Sequence, residues 1–400
     1  MPKIGYRSTN AYLSKSVLDL AVPIVLYIDA SDPGGVAVYG VTLASHLQRR
    51  GYKTVAICNS GSRVASMKEL LTQAGIDARA IEDSDFSYTG RIRRMLRFLR
   101  VIREHKGCVL LLLLGNSAAG GPMLMAGVLG GARAIVRADL QGPMPPFPLR
   151  SRLVMKVKDL LVHRIVVGSQ ENLEAFVRHM NRPRQKFTII HTGIDLPMYV
   201  QGLRRREVRD DIGIRPDTLV VGMVARLSEE RKGAAFFVEM AAEVSRVIPS
   251  AFFLVVGDGP LRPFLEQQAE KLGIHHRIRF EGWRSDIVEV LASLDVFVMP
   301  SLYEGGPTIV LEAMAMGLPV VSTVVGMVPE IIDHGCTGIT VPPGDSHALA
   351  QAVIALLADE QWRARLGNQA REKAMSSFSS DLKATRYLST FADTLARRHS

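Results

Sequence analysis

The stretch "SLDVFVMPSLYEGGPTIVLEAMAMGLPVV", residues 293–321, reads as strand, turn, helix, stop and strand. Its apolar run "VFVMPS" is strand-like. "TIVLEAMAMG" carries apolar residues at helical spacing behind Pro307, a residue favoured at the first helical position, so a helix begins near Pro307 or Thr308. Gly317 and Pro319 then stop it before a second apolar strand. A strand returned by a helix to another strand is the unit from which parallel sheets are built. Two carboxylates punctuate this unit, Glu304 in the turn and Glu312 about one and a half turns into the helix.

The same alternation extends outward through the chain. In the first half, strands fit 24–30, 53–59, 108–115, 132–139 and 164–170, with helices at 35–51, 64–75, 90–107 and 171–181. In the second half, strands fit 218–225, 251–259, 277–283, 296–301, 319–326 and 338–343, with helices at 233–248, 261–273, after Gly306, and 346–367. At 400 residues the chain is long for one core. The expected fold class is α/β, with two Rossmann-like doubly wound parallel-sheet domains facing across a cleft at the carboxyl ends of their strands. An extension covers 1–22, a first domain 23–195 and a second 196–379, with the linker near "IIHTGIDLPMYVQG" (189–202), where apolar patterning breaks.

Composition narrows the partners. An apolar content of 47% fits a packed globular protein. No apolar run is long enough to span a bilayer, and "SVLDLAVPIVLYI" lacks a cleavage site and carries Asp19, so a cytoplasmic location is expected. Cys58, Cys108 and Cys336 are unclustered in apolar surroundings and read as small core residues, and the histidines lack metal-binding spacing. Charge is uneven: residues 1–200 hold 27 Lys and Arg against 14 Asp and Glu, whereas 201–400 hold 22 against 25. The first half should therefore meet something anionic.

Several residues invite chemistry. Glu312 has apolar neighbours on nearly all sides, and a buried carboxylate needs donors, which sugar hydroxyls supply. Glu312 is thus read as gripping a ribose and Glu304 as holding a transferred sugar, with the backbone N–H groups of Gly306, Thr308 and Ile309 facing phosphates. Arg226 and Lys232, after a strand and before a helix, suit a diphosphate as well as they suit a solvated charged loop. Gly34 and Gly35, and likewise Gly257 and Gly259 in "VVGDGP", lie between strand and helix, where a phosphate can approach or where an ordinary turn simply needs glycine. The G-x-G-x-x-G spacing is absent there, which disfavours a nicotinamide or flavin cofactor.

Taken together, the Glu304-x7-Glu312 pair, "ARLSEERKG", "GDGP", "FEGW", "VSTVVGMVPEIIDHGCTGITVPPGD" and "IIHTGID" resemble glycosyltransferase family 4 on the GT-B fold, from about residue 24 to 395. The resemblance implies transfer with retained anomeric configuration, without a metal or other cofactor, from a nucleotide sugar bound by the second domain to an acceptor bound by the first. UDP is the base it favours. It implies that Arg226 and Lys232 neutralise the leaving diphosphate, that Gly34 and Gly35 approach the phosphates from the other domain, and that Trp283 and Arg284 flank the base. A closing helix over 380–400 would complete the first domain. Where many relatives carry a His at the end of the fourth strand of the first domain, this chain has Asp139, with acceptor binding and a structural role both open.

The acceptor would be a sugar, a lipid-linked sugar or a small molecule, in cell-envelope polysaccharide, glycolipid or glycoside biosynthesis. Alternatives are a sugar-nucleotide epimerase or hydrolase of the same architecture, or a basic module binding membrane or nucleic acid; nucleic acid is not the expected partner of the transferase. The helix "GRIRRMLRFLRVIREHKG" (90–107), apolar on one face and arginine-rich on the rest, either covers the sheet with a solvated basic face or lies on an anionic membrane as a peripheral anchor.

Overall fold

A computed structural model of the 400-residue chain describes residues 19–29, 35–60, 65–82, 88–115, 120–140, 149–195, 205–215 and 217–397. The chain forms two compact units, one of residues 1–191 with 380–400 and the other of residues 192–379.

The first unit alternates β1 (Ile24–Asp29), α1 (Gly35–Arg49), β2 (Thr54–Ser60), α2 (Ala65–Gln73), β3 (Asp77–Glu82), α3 (Tyr88–Glu104) and β4 (Val109–Leu114). It continues through α4 (Gly121–Gly130), β5 (Ala134–Asp139), α5 (Leu149–Leu160), β6 (Arg164–Val167), α6 (Gln170–Met180) and β7 (Phe187–Ile189). All seven strands pair in parallel, in the order β3-β2-β1-β4-β5-β6-β7. β4 at the centre reads "VLLLLL" and every residue is buried, because a parallel sheet is covered on both faces and its inner strands have no polar side. α1 and α2 pack one face, and α3 to α6 the other.

The second unit runs α7 (Arg205–Asp211), β8 (Val220–Val224), α8 (Ala234–Val247), β9 (Phe252–Val256), α9 (Arg262–Lys271), β10 (Ile278–Gly282), α10 (Ile287–Ser293) and β11 (Val296–Met299). It ends with α11 (Thr308–Ala315), β12 (Val320–Thr323), α12 (Val328–Ile331), β13 (Ile339–Val341), α13 (Ser346–Ala358) and α14 (Glu360–Ser377). Its parallel sheet has the order β10-β9-β8-β11-β12-β13. A last helix, α15 (Ser380–Ala396), joins the first unit's core through Tyr387 and Phe391.

Four elements of the first unit were not visible in the sequence pattern, and in the second unit neither were α7, α10 and α12. β3 ("DARAIE") and β7 ("FTI") are sheet edges, short and half solvated, so neither shows a buried run. α4 is apolar and glycine-rich, with no amphipathic period. Its glycines are steric: a Cβ on Gly127 would lie 2.5 Å from Leu110 and one on Gly130 2.5 Å from Ile102, so α4 sits tightly on β4 and α3. α5 is the fourth. The single helix expected over 346–367 is two, because Asp359 leaves helical geometry and its Oδ1 accepts the Trp362 N–H at 2.8 Å as the cap of α14. Cys58 and Cys108 are core residues, but Cys336 is exposed, in the turn where its N–H meets Asp333 O. Among the described residues no helix is long and apolar enough to cross a membrane.

Candidate active site

The second unit concentrates charge at the carboxyl ends of β8, β11 and β12, where open α/β sheets place their ligands. After β8 the chain passes Arg226, which is exposed, and forms a tight 3-10 turn over Glu230–Lys232. Gly233 leaves that turn at φ 70°, and a Cβ there would lie 1.9 Å from the Pro300 carbonyl oxygen. Only glycine allows this contact, which presses the Lys232 turn against the end of β11. The Leu302 N–H locks it by donating to Arg231 O at 2.7 Å.

Glu304 is the result of that contact. It is 8% exposed, and its Oε1 accepts from Lys232 Nζ at 2.7 Å and from Ser301 Oγ at 2.8 Å, while Arg231 Nη1 stands 3.8 Å from Oε2. Thr323 at the end of β12 donates to Ser301 O, fixing the hydroxyl that holds the carboxylate. Gly326, at φ 56°, brings the next loop to where a Cβ would lie 2.0 Å from Glu304 O. The carboxylate is thus held on its side-chain and backbone sides together.

Glu312 differs from its expectation. In α11 it is half-buried, since the apolar residues around it turn into the core and leave its own face open. It lines a pocket of about 650 Å³ with Val224, Ile309 and the 285–289 segment. The buried acid of the pair is Glu304, whereas the sequence argument had placed burial at Glu312. Arg284 stands beside the pocket wall, its Nε donating to Asp286 Oδ1 at 2.9 Å, and this hydrogen bond holds the Asp286 carboxyl below its ordinary value. Trp283 is 77% exposed.

The glycines separate by cause. A Cβ on Gly257 (φ 129°) would lie 1.8 Å from Ala225 O, and one on Gly259 (φ 156°) 2.3 Å from the Leu227 carbonyl carbon. Their absent side chains serve the stacking of the "GDG" turn on the Arg226 loop, which Leu227 N–H to Asp258 O (2.9 Å) completes. At Gly306 a Cβ would meet Thr192 only at 3.7 Å, and at Gly35, the first residue of α1, nothing within 4 Å. Internal packing does not require glycine at either place. Gly34 lies outside the described residues. Thr308 and Ile309 open α11, with Pro307 as its cap.

Asp139, at the end of β5 in the first unit, is fully buried. Arg137 Nη2 donates to its Oδ2 at 2.9 Å, and the same guanidinium lies 3.3 Å from Asp159, itself clasped by Arg182. Of the two roles open to Asp139, the structure supports the structural one. Sequence reading missed Ser301, Arg231 and Gly326; the Ser-x-x-Glu spacing of 301 and 304 was the available signal for the first.

Comparison with known proteins fits this geometry. Residues 218–359 match the family described as Glycosyl transferases group 1. The α-D-kanosaminyltransferase of Streptomyces kanamyceticus is 36% identical over 180 residues, 44% of this chain and 46% of that protein. The D-inositol 3-phosphate glycosyltransferase of Corynebacterium glutamicum is 30% identical over 244 residues, 59% of this chain and 58% of that one. The chain thus matches about half the length of these curated relatives. In fold it is similar to Anabaena Alr3699/HepE, solved in complex with UDP and glucose, with a TM-score of 0.82 and 21% identity over 93% of this chain and all of that one. Two Rossmann-like parallel-sheet units of this kind define the GT-B fold. Residues 218–359 thus resemble a glycosyltransferase domain of the GT4 type, and the whole chain has the GT-B fold.

Proposed function

We propose that the protein is a retaining glycosyltransferase that moves a hexose or N-acetylhexosamine from a nucleotide diphosphate sugar, UDP-linked by preference, to an acceptor hydroxyl. The observation that carries this reading is the clasp of Glu304 by Lys232 and Ser301 at the strand ends. An acceptor-only carboxylate held beside fixed cations serves both parts of such a donor: Glu304 takes sugar hydroxyls, and Lys232 with Arg226 takes the diphosphate. Cations already in place stabilise the charge that develops on the leaving phosphate without reorganisation, so the reaction is assigned no metal and no cofactor. Glu312, at the rim of the 650 Å³ pocket, accepts from the ribose, with Trp283 and Arg284 beside the base.

A double displacement would need a carboxylate nucleophile, for which Asp139 was the candidate. Its burial against Arg137 takes it out of that role. We favour the front-face route, in which the departing phosphate oxygen takes the proton of the attacking hydroxyl. The acceptor is placed in envelope polysaccharide, glycolipid or glycoside synthesis, with the enzyme in the cytoplasm at the inner face of the membrane. Calorimetric titration with UDP, GDP and ADP, then their sugars, tests the donor site. UDP binding that Lys232→Ala weakens, with turnover only when envelope acceptor is added, is expected; no binding of any nucleotide would overturn the reading.

A further inference from the structure

The two carboxylate oxygens of Glu304 have different surroundings. Oε1 accepts from both Lys232 Nζ and Ser301 Oγ, which fills the two lone-pair positions such an oxygen offers. Among the described residues no hydrogen bond reaches Oε2. Arg231 Nη1 stands 3.8 Å from it, close enough to attract its charge and too far to cap it. One oxygen is tied to the protein, and the other keeps its lone pairs for a ligand.

Arg231 is itself held from three directions. Its Nε donates to Glu229 Oε2, its Nη1 donates to the Tyr303 carbonyl at 3.3 Å, and its own carbonyl accepts the Leu302 N–H at 2.7 Å. A guanidinium is planar, so a carboxylate fixed at the Nε edge also fixes where Nη1 points. The Nη1 that grips the carbonyl just before Glu304 is the same one that faces Oε2. Glu229 thereby reaches Glu304 without touching it.

Stability does not account for this chain of contacts. The Glu229 side chain keeps 40% of its surface and Arg231 28%, and an ion pair that open adds little to folding. Its effect is on geometry. An acceptor held in one place rejects a sugar whose hydroxyl is inverted or missing, because the acceptor is then left unpaired; an acceptor free to shift rejects it less.

We infer that Glu229, acting through Arg231, is a positioning residue that sets which donor sugar the site accepts, by fixing Glu304 Oε2 as the acceptor of one sugar hydroxyl. This role rests on the donor reading above, to which it adds the atom that meets the sugar and the two residues that place it. Glu230 is a natural control: it is exposed, carries the same charge one residue away, and its side chain makes no hydrogen bond or ion pair among the described residues.

Calorimetric titration of the full chain with UDP, UDP-glucose, UDP-galactose and UDP-N-acetylglucosamine is the test, with urea unfolding of each variant alongside. Wild type is expected to separate the best from the worst of the three sugars by about tenfold or more, the factor that a hydrogen bond to a charged group supplies. Glu229→Gln should cut that ratio about fivefold, Arg231→Gln by a similar factor, and the double variant no further, because the two residues act in series. UDP affinity of Glu229→Gln should stay at the wild-type value or rise, since a negative charge has left the neighbourhood of a diphosphate. Glu230→Gln should leave the ratio as it is. An unchanged ratio in Glu229→Gln, an equal drop in Glu230→Gln, or a ratio lost together with UDP affinity and the urea midpoint would each overturn the positioning role. Wild type that binds UDP but does not distinguish the sugars would overturn it while leaving the donor site in place. Wild type that binds neither UDP nor any of its sugars would overturn the UDP-linked donor reading and the positioning role with it.

Discussion

Each unit buries a carboxylate beside basic side chains, and the two sites differ in what is closed. In the first unit, Arg137 and Asp139 have no exposed surface, and Arg182, 4.8 Å from the Phe176 ring and 4.9 Å from that of Phe187, shuts the network beneath aromatic faces. In the second, Glu304 is similarly buried, yet the Lys232 side chain keeps 22% of its surface and Arg231 28%. A sealed pair can only hold the chain together. A pair whose cations still reach solvent can exchange partners with a ligand. Accessibility of the cation, more than burial of the acid, marks the site for chemistry.

Removing one member of each cluster should therefore fail in opposite ways. Asp159→Ala leaves two buried guanidinium groups short of their counter-charge, and breaking such a pair costs about 3–5 kcal/mol. Urea unfolding should show that loss, and the folded fraction should bind UDP as wild type does. Lys232→Ala leaves Glu304 with Ser301 and the more distant Arg231, so it should lower the urea midpoint less than Asp159→Ala does and cut turnover by about 10² to 10³, the usual effect of removing one preorganised donor. A Lys232→Ala protein that unfolds as early as Asp159→Ala, or an Asp159→Ala protein that folds normally, would erase the distinction.

The contrast also explains what could be read in advance. Buried parallel strands such as β4 announce themselves as unbroken apolar runs, so most of both sheets was legible; edge strands β3 and β7, with one side in water, were not. Lys232 and Glu304 were visible as residue types, but their contact joins positions 72 apart and depends on Gly233 and Gly326 touching backbone from other loops. Burial of Glu312 was inferred from its neighbours along the chain, whereas a helix exposes one face whatever its neighbours are. The first unit's network left a local trace, since Arg137 and Asp139 are two apart on a buried strand and so point to one side. Their partners Asp159 and Arg182 left none.

A finer test lies within the second site. Ser301 Oγ donates to the same Glu304 oxygen as Lys232 but carries no charge. Ser301→Ala should cost roughly 1.5–3 kcal/mol, the range for a hydrogen bond to a charged group, divided between folding and the catalytic step. If Ser301 positions Glu304 for the sugar, turnover falls while UDP affinity stays. Equal losses in UDP affinity and stability would make it a structural residue like those of the first unit.

The smallest effect is expected where a charged pair is open on both sides. Asp381, in the first turn of α15, accepts from Arg50 Nε at 3.2 Å and lies 2.7 Å from Arg50 Nη2, tying α15 to the end of α1. The Arg50 hydrogen bond holds its carboxyl below the ordinary value of 3.8. A depressed carboxyl stabilises the fold above its unfolded value and loses that contribution as pH falls through the folded one. Asp381 is 66% exposed, so water screens the pair and the contribution should stay under about 1 kcal/mol. Asp381→Asn is expected to lower the urea midpoint slightly at neutral pH, and its difference from wild type should vanish once the pH is below that lowered value. A loss as large as that of Asp159→Ala would mean that exposure does not rank these clusters, and the gradient from sealed to half-open to open would have to be abandoned.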